Sequence, residues 1–145
     1  MAVEGPGLDI GYLQSTADMR NSSITGTTLG GPSGSGQFLA VRLSTASDFT
    51  FALATSSLAE VIGILQNKPN VGEAGDIRFV GVSKAVGGST AITPGVDLMA
   101  DTDGQLIPYS SGAGAPRCGK ALQASAAVGN LFSMLVYGVG PGSLA

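Results

Sequence analysis

Cys118 is the only cysteine of the chain, and the sequence contains no histidine. A cysteine nucleophile needs an imidazole or another cation to hold it as thiolate. Without histidine, imidazole acid–base catalysis, Ser-His-Asp and Cys-His arrangements and nearly every transition-metal centre are excluded. Cys118 therefore reads as a small buried apolar residue, and one thiol cannot make an intrachain disulfide. A Ser-Lys dyad would need Lys68, Lys84 or Lys120 buried beside a serine, yet all three stand next to turn residues or in exposed alternation. Gly31 to Gly36 has the glycine spacing of a phosphate loop, but Gln37-Phe38 stand where lysine and a hydroxyl residue are required. Asp97, Asp101 and Asp103-Gly104 gather acids as a calcium loop does. The twelfth position from Asp101, however, is Gly112 and not a bidentate glutamate. We read an Asp-Gly turn there. With no tryptophan and 6% aromatic residues, there is little platform for stacking a sugar or a base. The expectation is a non-enzymatic protein with no catalytic, metal-binding or cofactor-binding residues.

The elements that would carry any other function read as strands. Phe38, Ala40 and Arg42 alternate with Leu39, Val41 and Leu43, and Phe49, Phe51 and Leu53 form a second alternating set. Val61 to Leu65 is a short apolar run of buried-strand type. Ser57-Leu58-Ala59-Glu60 has capping-box spacing and predicts one helical turn. Pro94-Gly95 marks a turn, and Asp103-Gly104 predicts a hairpin joining Leu98-Met99-Ala100 to Leu106-Ile107. Ala121 to Val128 is alanine-rich but lies between Gly119 and Gly129, too short for an isolated helix; we assign strand and turn. Residues 1–36 read as a flexible arm closed by Gly30 to Gly36, with Leu8, Ile10, Tyr12 and Leu13 as its apolar patch. Two readings of that patch stand side by side: ordering against a partner, or folding back on its own domain.

One pattern occurs twice. Leu65-Gln66, Val71-Gly72 and Gly81 are matched by Leu122-Gln123, Val128-Gly129 and Gly138, each 57 positions later. Each copy reads as strand, turn, strand, with glycines where a repeated turn needs them, and the two Leu-Gln segments are expected at equivalent places in one β domain from residue 37 onward. The chain is 145 residues long with 12% charged residues and net charge −3. That is about half the ordinary charged content, so Ser, Thr, Gly and apolar atoms must cover much of the surface. Such a surface favours assembly, with a monomer solubilised by Ser and Thr as the alternative. The seven Lys and Arg are spread singly, which argues against nucleic acid as a partner. No apolar run reaches membrane-spanning length and no signal-peptide pattern opens the chain, so the expectation is no membrane partner and synthesis in a cytoplasm.

Val61-Ile62-Gly63-Ile64-Leu65-Gln66-Asn67-Lys68-Pro69, followed by Gly72-Glu73-Ala74, resembles the signature of the capsid cement, or decoration, proteins of tailed bacteriophages of the DUF2190 type. The similarity continues through Gly81 to Ala85, Ile92 to Leu98, Asp101 to Gly104 and Gly119 to Ala124. It covers residues 60–138 well and Gln37 to Leu53 loosely, and the arm is not shared. The resemblance implies an all-β, small single-domain β-barrel or β-tulip-like fold over residues 37–145. It further implies a structural virion protein, a homotrimer on the outer capsid surface, bridging major capsid protein subunits. The arm residues Leu8, Ile10, Tyr12 and Leu13 are its candidate capsid contacts. Another phage surface component, such as a head-fibre base or a carbohydrate-binding module, is the alternative.

Overall fold

The computed structural model describes residues 13–14, 20–24, 36–57, 59–111, 114 and 116–137. The alternating runs form strands because one face can be buried while backbone polar groups pair sideways. The strands are β1 (Leu13–Gln14), β2 (Arg20–Asn21), β3 (Ala40–Leu43), β4 (Thr50–Leu53), β5 (Gly63–Leu65), β6 (Asp76–Arg78), β7 (Gly81–Val86), β8 (Asp97–Ala100), β9 (Leu106–Pro108), β10 (Gly119–Ala121) and β11 (Leu131–Val136). They make two sheets, in the orders β1-β6-β5-β3-β4-β2 and β7-β11-β10-β8-β9. The fold is all-β, as expected, and the predicted hairpin through Asp103-Gly104 is present as β8–β9.

No helix occurs among the described residues, Ser57, Ala59 and Glu60 of the predicted helical turn included; Leu58 lies outside them. Ala59 N donates to Ser56 O in a simple turn, and the chain runs on through buried Val61 and Ile62 into β5. A capping box sustains a helix only when an amphipathic run of helical length follows it. Here the next residues are taken by a sheet. Ala121 to Val128, by contrast, is strand end and turn, as its flanking glycines predict.

The repeat is much larger than the few matched residues. Omitting β2, the two sheets have one strand order, with β6-β5-β3-β4 matched by β11-β10-β8-β9. Ala40↔Ile64 corresponds to Asp97↔Lys120, Val41↔Leu53 to Leu98↔Pro108, and Leu65↔Ile77 to Ala121↔Met134. The turns entering β3 and β8 also agree. Leu39 N donates to Gly36 O and Phe38 N to Leu65 O, while Val96 N donates to Thr93 O and Gly95 N to Ala121 O. Phe38 and Gly95, at the same step, both have positive φ, 66° and 88°. Gly72 (φ 87°) and Gly129 (φ 81°) close the equivalent long turns. Their N–H groups donate to Asn21 O of β2 and to O of Gly87, the residue just past β7, so the two units are closed in one way. β2 lies parallel to β4, and Gly87 forms a parallel bridge to Leu106 in β9. Each sheet thus curls toward a small barrel.

One shared pair of residues is not equivalent. In the first unit Gln66 N donates to Asp76 O, whereas in the second both Leu122 N and Gln123 N donate to Ser133 O. Two residues facing one is a β-bulge. The glutamines therefore correspond, but Leu65 is buried and Leu122 is 46% exposed. Ala121 occupies the packed position.

The core falls into two clusters. Ile24, Leu39, Val41, Phe51, Leu53, Leu65 and Ile77 line the inside of the first sheet. Leu98, Leu106, Ala121, Phe132 and Met134 line the second, and that cluster also takes in Ala40, Ala54 and Ile64 from the other face of the first sheet. The first sheet is consequently covered on its second face around Ala40, Ala54 and Ile64.

Of the N-terminal segment, residues 13–14, 20–24 and 36 are described. β1 pairs with β6 and β2 with β4. The buried Asn21 side chain donates to Ile24 O and Pro69 O and accepts from Ser23 N and Ile24 N. A single asparagine satisfying four backbone groups gives this stretch a reason to be ordered that apolar counting overlooks. Leu8, Ile10 and Tyr12 lie outside the described residues, as does the flexible-arm expectation for most of 1–36.

Candidate contact surface

The residues singled out for chemistry are placed in structural roles. Cys118 is buried, with its Sγ 3.4 Å from Leu98 O, and burial pushes its thiol pKa up to about 12. Alkylation by iodoacetamide at pH 8 should therefore proceed only as fast as the fold opens, and stoichiometric labelling of native protein on the minute scale would contradict this burial.

Asp101 Oδ1 accepts from Asp103 N and Gln105 N, which builds the hairpin turn, and burial raises its carboxyl pKa above the ordinary value. No His, Cys, Asp and Glu grouping able to hold a metal ion occurs among the described residues. Lys68 and Lys84 are exposed. Lys120 Nζ sits 2.9 Å from Asp97 Oδ1 and donates to Gly95 O; the Asp97 hydrogen bond raises its pKa, the wrong direction for a general base.

Asp97 is the hub of the outward face of the second sheet. Arg117 lies 3.2 Å from Asp97 Oδ2, and Tyr137 Oη donates to Oδ1 at 2.9 Å. The Arg117 guanidinium also stacks over the Tyr109 ring, 4.6 Å from its centroid. The hydrogen bond from Lys120, then that from Tyr137, holds the Asp97 carboxyl below its ordinary pKa. A depressed carboxyl adds stability above the unfolded pKa of about 3.9 and loses it as pH falls through the lower folded value. Asp97→Asn should then melt below wild type at pH 7, with the gap closing below about pH 4. A gap independent of pH would mean that charge is not the source.

Around this network the surface is apolar. Val82 pairs directly with Leu135, and both are exposed, together with Leu131 and Tyr137. Among the described large apolar side chains the greatest exposure, however, is that of Phe49 at 66%, at the β3–β4 hairpin tip, with Leu43 at 56% beside it. A groove lined by Arg42, Leu43, Glu60 and Ile62 opens at the base of the same hairpin. Phe49 has φ 53°, a conformation that a bulky side chain adopts only under constraint. Val71 and Val128 are exposed at the tips of the two equivalent long turns. Among the four sequence-selected arm residues, the structure describes Leu13 alone, as a backbone partner of Ile77. Phe49 was passed over because alternation assigns it to a strand interior, and nothing in sequence marks a phenylalanine for a left-handed turn.

No family model matches the chain, and no curated protein matches it. Among solved structures, its fold is similar to that in the crystal structure of the head fiber gp8.5 N base of bacteriophage phi29, with a TM-score of 0.59 and 12% identity. The similarity covers 86% of this chain and 92% of that one.

Proposed function

We propose that this chain is a structural protein of a tailed-phage virion, seated on the outer head surface and cementing neighbouring major capsid protein subunits. The observation that carries the reading is the likeness of fold to a phage head-fibre base over most of both chains. The Leu-Gln-Asn-Lys-Pro block with its following Gly-Glu-Ala supports the finer assignment to a cement role. A surface of low charge with several exposed apolar side chains suits a protein that works by contact. In this reading the chain acts as a homotrimer, has no enzymatic activity, and engages neither nucleic acid nor membrane. Leu8, Ile10, Tyr12 and Leu13 are its proposed additional capsid contacts.

A second reading, the base of a head fibre, is favoured by the same structural likeness. Copy number separates the two. Cryo-EM with quantitative mass spectrometry of purified particles should find the chain on the head exterior at near capsid copy number. A few copies bearing a longer appendage would favour the fibre base, and complete absence from particles would overturn both.

A further inference from the structure

The two long turns present one tip on different supports. Glu73 N donates to Asn70 O at 3.0 Å, and Asn130 N to Ala127 O at 3.2 Å. Each tip is thus a β-turn whose third residue, Gly72 or Gly129, has the positive φ of a type II turn. Beneath the first tip, Asn67 Oδ1 accepts from Asp76 N and Glu73 Oε2 from Asn70 N. Pro69 O accepts from the buried Asn21 side chain, and Gly72 O from Arg20 Nη1. Beneath the second, Ser125 exchanges two backbone hydrogen bonds with Ile92; Lys68, in the corresponding place, is exposed.

Across residues 67–75 the second unit repeats only Val71 and Gly72, as Val128 and Gly129. Positive φ accounts for the glycine. The fold does not account for the valine. The second place of such a turn favours proline, and neither valine serves a core, being 54% and 59% exposed. Both tips also stand clear of the other described residues, since a Cβ at Gly72 or Gly129 would meet nothing within 4 Å. We infer that Val71 and Val128 are two copies of one contact, each entering a shallow apolar pocket on one of two like subunits of the shell on which this chain sits.

The chemistry of the pocket follows from what the tips share. Lys68, Asn70 and Glu73 are exposed around Val71, whereas Ala126, Ala127 and Asn130 are exposed around Val128. Only the aliphatic side chain is common, so the pocket that takes both is apolar. A β-branched side chain on a braced turn has little freedom left to lose on binding. One chain carrying the same tip twice can use both only where the pocket also occurs twice, as in a shell of repeated subunits, and joining the two contacts in one chain makes the second intramolecular. This rests on the proposed virion reading and names the residues by which the chain bridges its neighbours.

Val71→Thr and Val128→Thr keep the branched shape and exchange one methyl for a hydroxyl, so turn and melting temperature should be unchanged. Heads from phage deleted for this chain are titrated with the full chain. Each single variant should bind at least about tenfold more weakly, because the hydroxyl finds no partner in an apolar pocket, and the double variant more weakly still. At saturation, each single variant should raise the heat resistance of heads less than wild type does, since bridging needs both contacts. Unchanged binding in either single variant, or full heat resistance in both, would overturn the inference and leave the virion reading intact. Weakened self-association with head binding preserved would also overturn it, by making a second copy of the chain the occupant. A wild-type chain that binds no heads would overturn the virion reading, and this inference with it.

Discussion

Gly63→Ala and Gly119→Ala should each lower the stability of the fold by about 3 kcal/mol, and by closely similar amounts. The two glycines occupy one position in the two units. A Cβ at residue 63 would lie 2.4 Å from Arg78 O and 2.6 Å from Ile77 Cγ2; one at 119 would lie 2.3 Å from Leu135 O and 2.3 Å from Met134 Cε. Met134 could swing its terminal methyl aside, but neither carbonyl can move without pulling its strand out of register. A loss of that size is a large part of the roughly 5–15 kcal/mol that holds a domain together. Urea unfolding measures it directly, with matched shifts in midpoint at unchanged slope. Gly72→Ala and Gly129→Ala provide the contrast. A Cβ at either position meets nothing within 4 Å, so only the positive φ resists, at about 1–2 kcal/mol. If the Gly63 and Gly119 variants prove no worse than these, steric closure is not what selects glycine at the strand crossings.

The sequence carried the repeat only where backbone geometry dictates residue type. Gly72 and Gly129 were legible because both close turns at positive φ. Gln66 and Gln123 were legible as equivalent positions, but the Leu65–Leu122 match was misleading, since the bulge at Ser133 carries Leu122 outward. β3 and β8 share a place in the fold without sharing a residue, Ala40-Val41-Arg42-Leu43 against Asp97-Leu98-Met99-Ala100. A strand asks for alternation, not identity, and the ladder is made by the backbone. Short indels in the hairpins then shift the spacing between units, which hides the remainder from a fixed-period comparison. The candidate surface was less legible still. Phe38 and Phe49 sit at steps where the second unit has Gly95 and Gly104, and propensity alone would never assign phenylalanine to a left-handed turn. The β2 stretch was missed because its order rests on the hydrogen bonds of Asn21, not on apolar content.

The double variant Phe51→Leu/Gly75→Phe should be more stable than Gly75→Phe alone. The core of each unit holds one large ring at the same level, supplied from different strands. In the first unit the ring is Phe51, and a Cβ at Gly75 would fall 2.3 Å from its Cζ. In the second, Phe132 takes the place equivalent to Gly75, and Leu106 takes the place of Phe51; both are buried. Gly75→Phe alone asks two rings to share one volume and should cost at least about 3 kcal/mol, near the upper end for overpacking. Phe51→Leu alone removes apolar contact and leaves a void, for about 1–2 kcal/mol. If the units are alternative solutions to one packing problem, combining the changes restores a single ring, and the coupling should be favourable by about 1–3 kcal/mol. Leu65→Ala, which copies Ala121, should improve the double variant further, because a Cβ at 75 also comes within 3.1 Å of Leu65 Cδ1. Strict additivity in the urea midpoints would mean that the units share backbone topology but not interchangeable cores.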